Sequence, residues 1–280
     1  MLTMLKIVPQ RKYPFPVSVI KKLLPRRTDG YMRRVGYSPY IEICCELKNG
    51  SPDWRSVCAN TLDSSGRILM PRGIECPGQY GLSRFRPTRF LRQMYSNLAV
   101  ETLLETDIPP HDRTIAICGR EAETAMLLPR IAPLCGAVKM LTSRPDAISK
   151  EASRLEEQTG LPIIISDDYD ASGYTMLLAP SGGAAAINCA DTLLVISPDR
   201  PDSGYTVWVK SVKISVPQQL EEIYTEEYDL LETVGAFCES AGMEILGRIS
   251  PDAIVEDGQV LPPSELAALC SVQRRSGQSS

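Results

Sequence analysis

The chain has 280 residues, a formal net charge of −4 and 43% hydrophobic residues. This length and composition are typical of a globular protein with a sizeable core and room for two domains. No apolar stretch approaches the roughly 20 residues that a membrane-spanning helix needs. A basic patch begins soon after Pro9, too early for a secretory signal peptide, so we expect a cytoplasmic protein that does not bind a membrane.

Charge is distributed unevenly along the chain. Residues 1–99 carry a net charge of +11, and residues 100–280 carry −15. A basic half can bind nucleic acid or another anion, and it can also dock on the acidic half, within one chain or in a dimer. We favour docking and a homo-oligomer over nucleic acid, because the acidic half would repel a long polyanion.

The cysteines and the single histidine do not show the spacing of a metal-binding motif. None of the nine cysteines forms a CxxC pair, and His111 is the only histidine. We predict reduced, mostly buried thiols and no metal. His111 precedes a strand at the end opposite to the expected ligand crevice, so we expect no histidine acid–base chemistry and no Ser-His-Asp triad.

The N-terminal part predicts a small domain that contains both strands and helices. Residues 41–47 alternate between apolar and polar side chains, which is typical of a strand with one buried face. Residues 5–8, 57–62 and 67–70 are further candidate strands, and residues 17–24 are a candidate helix. These strands suggest a small antiparallel or mixed sheet.

A cluster of arginines interleaved with aromatic residues follows this domain's strands. Arg84, Arg86 and Arg89 alternate with Phe85 and Phe90. Arginines next to aromatic rings can bind a phosphate group or single-stranded nucleic acid, so these three arginines are the anion-binding candidates. The alternative is the ordinary basic start of a helix that continues to about residue 105.

After a proline-containing linker at residues 106–112, apolar runs alternate with helical stretches. The runs are residues 114–118, 137–141, 161–165, 174–179, 192–197 and 205–216. Strands that alternate with helices at this spacing predict a parallel sheet built from βαβ units. The predicted fold class is α/β: a Rossmann-like, doubly wound, mostly parallel sheet with a smaller N-terminal α+β domain.

The predicted helices of this region differ in regularity. The first begins near Glu121 and should break or kink near Leu128, because Pro129 removes a backbone hydrogen bond and costs about 3 kcal/mol in a helix interior. Residues 146–158 form a regular amphipathic pattern. Residues 218–241 predict one long acidic helix with an apolar stripe.

These patterns divide the chain into three predicted regions. Residues 1–106 form a basic α+β domain that ends in a connecting helix. Residues 107–247 form the Rossmann-like domain with its long acidic helix. Residues 248–280 form a turn-rich tail that is partly disordered and contains one short helix at residues 263–269.

Ligands bind to a sheet of this kind at the carboxyl ends of its strands. The turn after the first parallel strand carries Gly119 and Arg120, and the turn after the fourth carries Ser181 and Gly182. Small residues there either let a ligand approach the backbone or form a tight turn. An acidic pair at residues 167–168 ends at the same edge, where it is either a ribose or metal ligand or a solvated turn.

Residues 91–183 give a helix, a linker, a strand, a glycine loop and a second helix, and the next strand is followed by Thr142-Ser143-Arg144-Pro145. This layout resembles the nucleotide-binding half of the shikimate dehydrogenase and glutamyl-tRNA reductase families, in which that strand ends in Asn-Arg-Thr or a similar sequence. The resemblance implies NADP as the cofactor. It nominates Arg144, with Ser143, to contact the 2′-phosphate of the ribose, which suits a bidentate cation. The first 90 residues do not resemble the substrate domain of those families.

The glycine loop departs from the pattern that a dinucleotide needs. A GxGxxG/A fingerprint provides a tight turn and a close approach of the backbone to the pyrophosphate. Here only Gly119 is present, and Glu121 replaces the second glycine. A carboxylate about 5 Å from a phosphate costs on the order of 3 kcal/mol at an effective dielectric constant of about 20. We therefore predict a degenerate site with no cofactor, and NADP is the one cofactor that the resemblance leaves open.

Three functions remain open from the sequence. The first is a Rossmann-like protein with a degenerate dinucleotide site and a binding or assembly role, with a small-molecule ligand or a second copy of the chain as partner. The second is an NADP-dependent reductase or dehydrogenase of a small polar substrate. The third is a nucleic-acid-associated protein that uses the basic N-terminal half.

Overall fold

The computed structural model describes residues 1–9, 27–61, 66–119, 121–202, 204–243 and 249–277, without the side chains of residues 121–125 and 272–277. The chain divides into two compact units, Met1–Phe90 with Val216–Arg248, and Leu91–Ser215 with Ile249–Ser280. The segment Val216–Arg248 thus groups with the N-terminal strands. No helix within the described ranges is long and apolar enough to cross a membrane.

The regular elements are numbered in chain order. The strands are β1 (Leu2–Val8), β2 (Thr28–Val35), β3 (Ser38–Glu46), β4 (Arg67–Leu69), β5 (Ser83–Arg84), β6 (Thr114–Cys118), β7 (Ala137–Leu141), β8 (Ile163–Ser166), β9 (Met176–Leu178), β10 (Thr192–Ile196), β11 (Tyr205–Lys213), β12 (Asp252–Val255) and β13 (Val260–Leu261). The helices are α1 (Trp54–Asn60), α2 (Thr88–Glu105), α3 (Glu121–Ile131), α4 (Asp146–Thr159), α5 (Leu230–Ser240) and α6 (Pro263–Gly277). The candidate helix at residues 17–24 lies outside the described residues.

The first unit is built on a mixed five-stranded sheet in the order β2-β3-β1-β4-β5. Strand β2 is antiparallel to β3, and the other neighbouring pairs are parallel. Its core joins the sheet to Trp54 and Val57 of α1. The strand predicted at residues 57–62 is therefore wrong: a helix begins after Asp53, whose carboxylate accepts a hydrogen bond from the backbone N–H of Ser56.

The long helix predicted at residues 218–241 is also wrong, because a new helix begins within it. The carboxylate of Asp229 accepts a hydrogen bond from the backbone N–H of Glu232 at 3.0 Å and so caps α5. Just before this cap, the buried hydroxyl of Tyr228 donates to the carbonyl oxygen of Leu5 at 2.8 Å. An aspartate cap and a buried tyrosine anchor the chain where the sequence pattern suggested a continuous helix.

The second unit is built on an eight-stranded sheet in the order β13-β12-β11-β10-β9-β6-β7-β8. The six strands from β11 to β8 are parallel, and β12 and β13 extend the sheet in antiparallel fashion. Numbered by their sequence, the parallel strands lie in the order 3-2-1-4-5-6, which is that of the Rossmann fold. The predicted Rossmann-like, mostly parallel sheet is confirmed.

The two faces of this sheet are covered differently. Helix α4 packs against α3 and β8, and α6 packs against β10, β12 and β13. The connections after β8 and β9 instead place four small or apolar side chains over one row of the sheet: Ala171, Ala184, Ile187 and Cys189. This row includes Ala116, Leu177 and Val195 of neighbouring strands. Short loops therefore replace crossover helices on this face.

Two predictions about helix ends need comment. Helix α3 continues through Pro129 to Ile131, so it does not break near Leu128, and the predicted kink there stays a prediction. The proline lies in the last turn of the helix, and a 3₁₀ turn at Ala132–Leu134 follows. Helix α6 is longer than the short helix predicted in the tail, since it continues to Gly277.

A buried arginine holds the chain together at the amino-terminal end of β6. Arg113 is only 6% exposed. Its guanidinium donates to the carbonyl oxygens of Leu103 and Ile108, each at 2.6 Å. It also donates to those of Leu134 at 3.0 Å and Thr106 at 3.1 Å. One planar cation thereby donates hydrogen bonds to carbonyl oxygens at the end of α2 and in the turns that lead into β6 and β7.

We expect Arg113→Met to lower the free energy of unfolding by about 3 kcal/mol or more, because buried carbonyl groups would lose a charged donor. Arg113→Lys should fall between this variant and the wild type, since one ammonium cannot reach four carbonyls. Urea unfolding followed by circular dichroism measures the difference, with Arg154→Met on the exposed surface of α4 as the control. If Arg113→Met unfolds like this control, the four hydrogen bonds contribute nothing net.

Candidate functional site

A pocket of about 280 Å³ opens at the carboxyl ends of β6, β7 and β9. The chain leaves β6 toward β7 and leaves β9 toward β10, in opposite directions along the sheet. Turns that diverge in this way leave a crevice in which ligands of open α/β sheets bind. Eight residues line the pocket: Cys118, Gly119, Leu141, Thr142, Ser143, Tyr169, Ser181 and Gly182.

The structure brings together four of the six predicted cofactor-binding residues, namely Gly119, Ser143, Ser181 and Gly182. Arg144 follows Ser143 in sequence, is exposed and is not among the residues that line the pocket. Arg120 lies outside the described residues, and so does the side chain of Glu121. That Glu121 blocks a pyrophosphate, and that these residues bind a cofactor, therefore stay predictions.

The turn after β9 is closed by a carboxylate that the sequence did not single out. The backbone N–H of Gly183 donates to Oδ2 of Asp199 at 2.7 Å. Gly182 has a φ of 89°, and a Cβ at this position would collide with the same carboxylate. Glycine is required here, and one amide donor that an anionic ligand could have used is already bound to an anion.

Tyr169 has a left-handed backbone and contributes its side chain to the pocket. Its φ is 47°, which costs a residue with a side chain about 1–2 kcal/mol. The carbonyl oxygen of Tyr169 accepts a hydrogen bond from the backbone N–H of Asn188 at 3.0 Å. Strain of this kind is concentrated at ligand sites, so the observed conformation makes Tyr169 a candidate functional residue.

A buried lysine supports the turn that contains Tyr169. Lys139 in β7 is 9% exposed, and its Nζ donates to Oδ2 of Asp168 at 3.0 Å and to the carbonyl oxygen of Asp170 at 2.8 Å. The hydrogen bond from Lys139 is the main cause that holds the pKa of Asp168 below its ordinary value. Asp168 thus pairs with an ammonium, and no metal-binding cluster occurs in the parts of the chain that the structure describes.

The thiol in the pocket is not activated. Cys118 is half-buried at the end of β6, and burial raises its pKa above the ordinary value. A raised pKa keeps the thiol protonated at neutral pH, whereas a nucleophilic cysteine needs a thiolate. The pocket offers hydroxyl groups, backbone groups and an aromatic ring, a set that suits binding better than covalent catalysis.

The other candidates from the sequence are not among the residues that line this pocket. In the first unit, Arg84 donates to both carboxylate oxygens of Glu232, at 3.0 and 2.8 Å, and to the carbonyl oxygens of Met70, Pro71 and Ile74. Arg84 therefore binds groups of its own unit, whereas Arg86 and Arg89 are exposed to solvent. In the second unit, His111 is exposed in a 3₁₀ turn at the amino-terminal side of β6.

Sequence reasoning missed Lys139, Tyr169 and Asp199. A lysine in the middle of the otherwise apolar strand Ala137–Leu141 was a signal, since a buried ammonium needs a partner. Tyr169 and Asp199 gave no comparable signal, because their roles depend on residues that are distant in sequence.

Comparisons with known proteins leave the activity open. No protein-family model matches the chain, and no curated protein matches it. Among solved structures, the crystal structure of L-tryptophan dehydrogenase from Nostoc punctiforme is similar over 86% of this chain and 78% of that chain, with 9% sequence identity and a TM-score of 0.34. A likeness at this level says nothing about activity, and the fold assignment rests on the strand order of the chain itself.

We expect Asp168→Asn to destabilise the protein in a pH-dependent way. Because the folded-state pKa of Asp168 is depressed, its carboxylate stabilises the fold above the ordinary pKa of 3.8 and loses this effect as the pH falls through the lower folded value. The variant should unfold at less urea than the wild type at pH 7, and the gap should narrow as the pH falls below 3.8. Asp167→Asn is the control, and a gap that stays constant with pH would contradict the pairing.

Proposed function

We propose that this chain is a Rossmann-like binding protein that takes a nucleoside-sized small molecule in the pocket at the switch point. The observation that carries the proposal is the meeting of Gly119, Ser143 and Ser181 at one pocket of about 280 Å³. These residues come from three different connections, and they meet where Rossmann sheets bind ligands. Their small side chains leave room for a ligand close to the backbone.

The size of the pocket favours a nucleoside or mononucleotide over a dinucleotide. Pockets for drug-sized ligands occupy roughly 300–1,000 Å³, and this pocket lies just below that range. A dinucleotide also needs a cluster of free amide donors for its pyrophosphate. The Asp199 carboxylate occupies the N–H of Gly183, so the turn after β9 offers one amide donor fewer to an anionic ligand. We therefore take the pocket to be a degenerate dinucleotide site with a binding role.

We expect adenosine or AMP to raise the melting temperature of the protein. At a hundred times its dissociation constant, a ligand adds about 2.7 kcal/mol, or about 5–10 °C for a chain of this size. Ser143→Trp should fill the pocket and remove the shift. Ser149→Trp, the same change at an exposed position of α4, should keep it. No shift with either ligand, or a shift that survives Ser143→Trp, would contradict the proposal.

The second candidate function is an NADP-dependent reductase or dehydrogenase of a small polar substrate. The strand order 3-2-1-4-5-6 and the exposed Arg144 directly after a residue that lines the pocket favour it. If it holds, NADP⁺ should raise the melting temperature more than NAD⁺ does, and Arg144→Ala should remove that difference. Equal effects of the two dinucleotides, or none from either, would exclude this candidate.

A further inference from the structure

We propose that the ligand is an uncharged nucleoside whose base stacks on the ring of Tyr169, and that Lys139 positions this ring. The proposal rests on the proposed function, because it concerns the same pocket, and it names the class of ligand. Tyr169 would touch the ligand, whereas Lys139 would act only through Tyr169.

The composition of the pocket points to a planar ring. Tyr169 is the one aromatic residue among the eight described residues that line it. An aromatic ring stacks on any nucleobase, since every base has a π-face. The hydroxyl of Ser143 and the backbone of Gly119 provide donors and acceptors for the hydroxyls of a ribose.

The backbone of Tyr169 is held by contacts on both sides of the residue. Lys139 donates to the side chain of the preceding residue, Asp168, and to the carbonyl oxygen of the following one, Asp170. The backbone N–H of Asn188 binds the carbonyl oxygen of Tyr169 itself. These bonds hold a left-handed backbone that a tyrosine rarely adopts, and the residues that make them with Tyr169 and its neighbours do not line the pocket.

The charges around the pocket argue against a phosphate. None of the eight described lining residues carries a charged side chain. The ammonium of Lys139 is bound to Asp168 and Asp170, and the amide of Gly183 is bound to Asp199. A phosphate at the turn after β9 would meet a carboxylate instead of a free amide donor. An uncharged nucleoside avoids this repulsion.

Calorimetric titration of the full chain with adenosine tests the role of the ring. We expect Tyr169→Ala to raise the dissociation constant by about 5- to 100-fold, the range that stacking of one base supports, and Tyr169→Phe to change it less than about threefold. Tyr174→Ala is the matched control, because Tyr174 packs on the same apolar cluster but does not line the pocket. It should leave the dissociation constant unchanged.

The outcomes separate this inference from the proposed function. If the wild type binds neither adenosine nor AMP, both fail. If it binds adenosine but Tyr169→Ala binds equally well, or if free ribose binds as tightly as adenosine, stacking fails and the binding function stands. If AMP binds more than about tenfold tighter than adenosine, the ligand is a nucleotide and the uncharged class is wrong. Binding that weakens with Tyr169→Ala and not with Tyr174→Ala supports the inference.

A double-mutant cycle tests the positioning role of Lys139. Lys139→Met should raise the dissociation constant for adenosine at least about threefold in the wild-type background and have no further effect in the Tyr169→Ala background. Lys139→Arg, which keeps a cation for Asp168, should restore part of the affinity. An equal effect of Lys139→Met in both backgrounds would show that Lys139 does not act through Tyr169. Melting curves confirm that each variant is folded at the temperature of the titration.

Discussion

The reversal of strand order between β6 and β9 is the constraint on which the candidate site depends. Both strands are parallel and buried, and the chain continues from them toward opposite edges of the sheet. The turns that follow are thereby held apart, and the gap between them is accessible to a ligand. Gly119 and Ser181 line one pocket for this reason, although they are far apart in sequence. The parallel sheet thus determines the place of the site, and the turns determine its chemistry.

The chemistry differs from that of a dinucleotide site mainly in its acidic and aromatic groups. Asp199 closes the turn after β9, and Lys139 holds the turn that contains Tyr169. Both charged side chains lie beside the pocket, and both are hydrogen-bonded to other groups of the protein. The side chains that line the pocket are uncharged: hydroxyl, thiol and apolar groups and one aromatic ring. A ligand of the kind proposed above would be selected there by shape and stacking more than by charge.

The sequence predicted the parallel sheet well, because buried parallel strands are short apolar runs between turns. Strands β6 and β7 have the bounds that their apolar runs predicted. Predictions failed where one polar contact decided the local structure: the caps at Asp53 and Asp229 begin helices that hydrophobic patterns alone do not show. Gly119 and Ser181 were predictable from their place after strands. The role of Tyr169 was not, because its backbone is held by Lys139 and by a residue in a later connection.

A crystal structure of the protein grown with adenosine tests the central claim most directly. The account predicts density for the nucleoside at the carboxyl ends of β6 and β7, with the base parallel to the ring of Tyr169 and the ribose near Gly119 and Ser143. Density for adenosine on another surface, with this pocket empty, would contradict the account. So would a dinucleotide that binds in an extended form across the turn after β6 when adenosine does not bind.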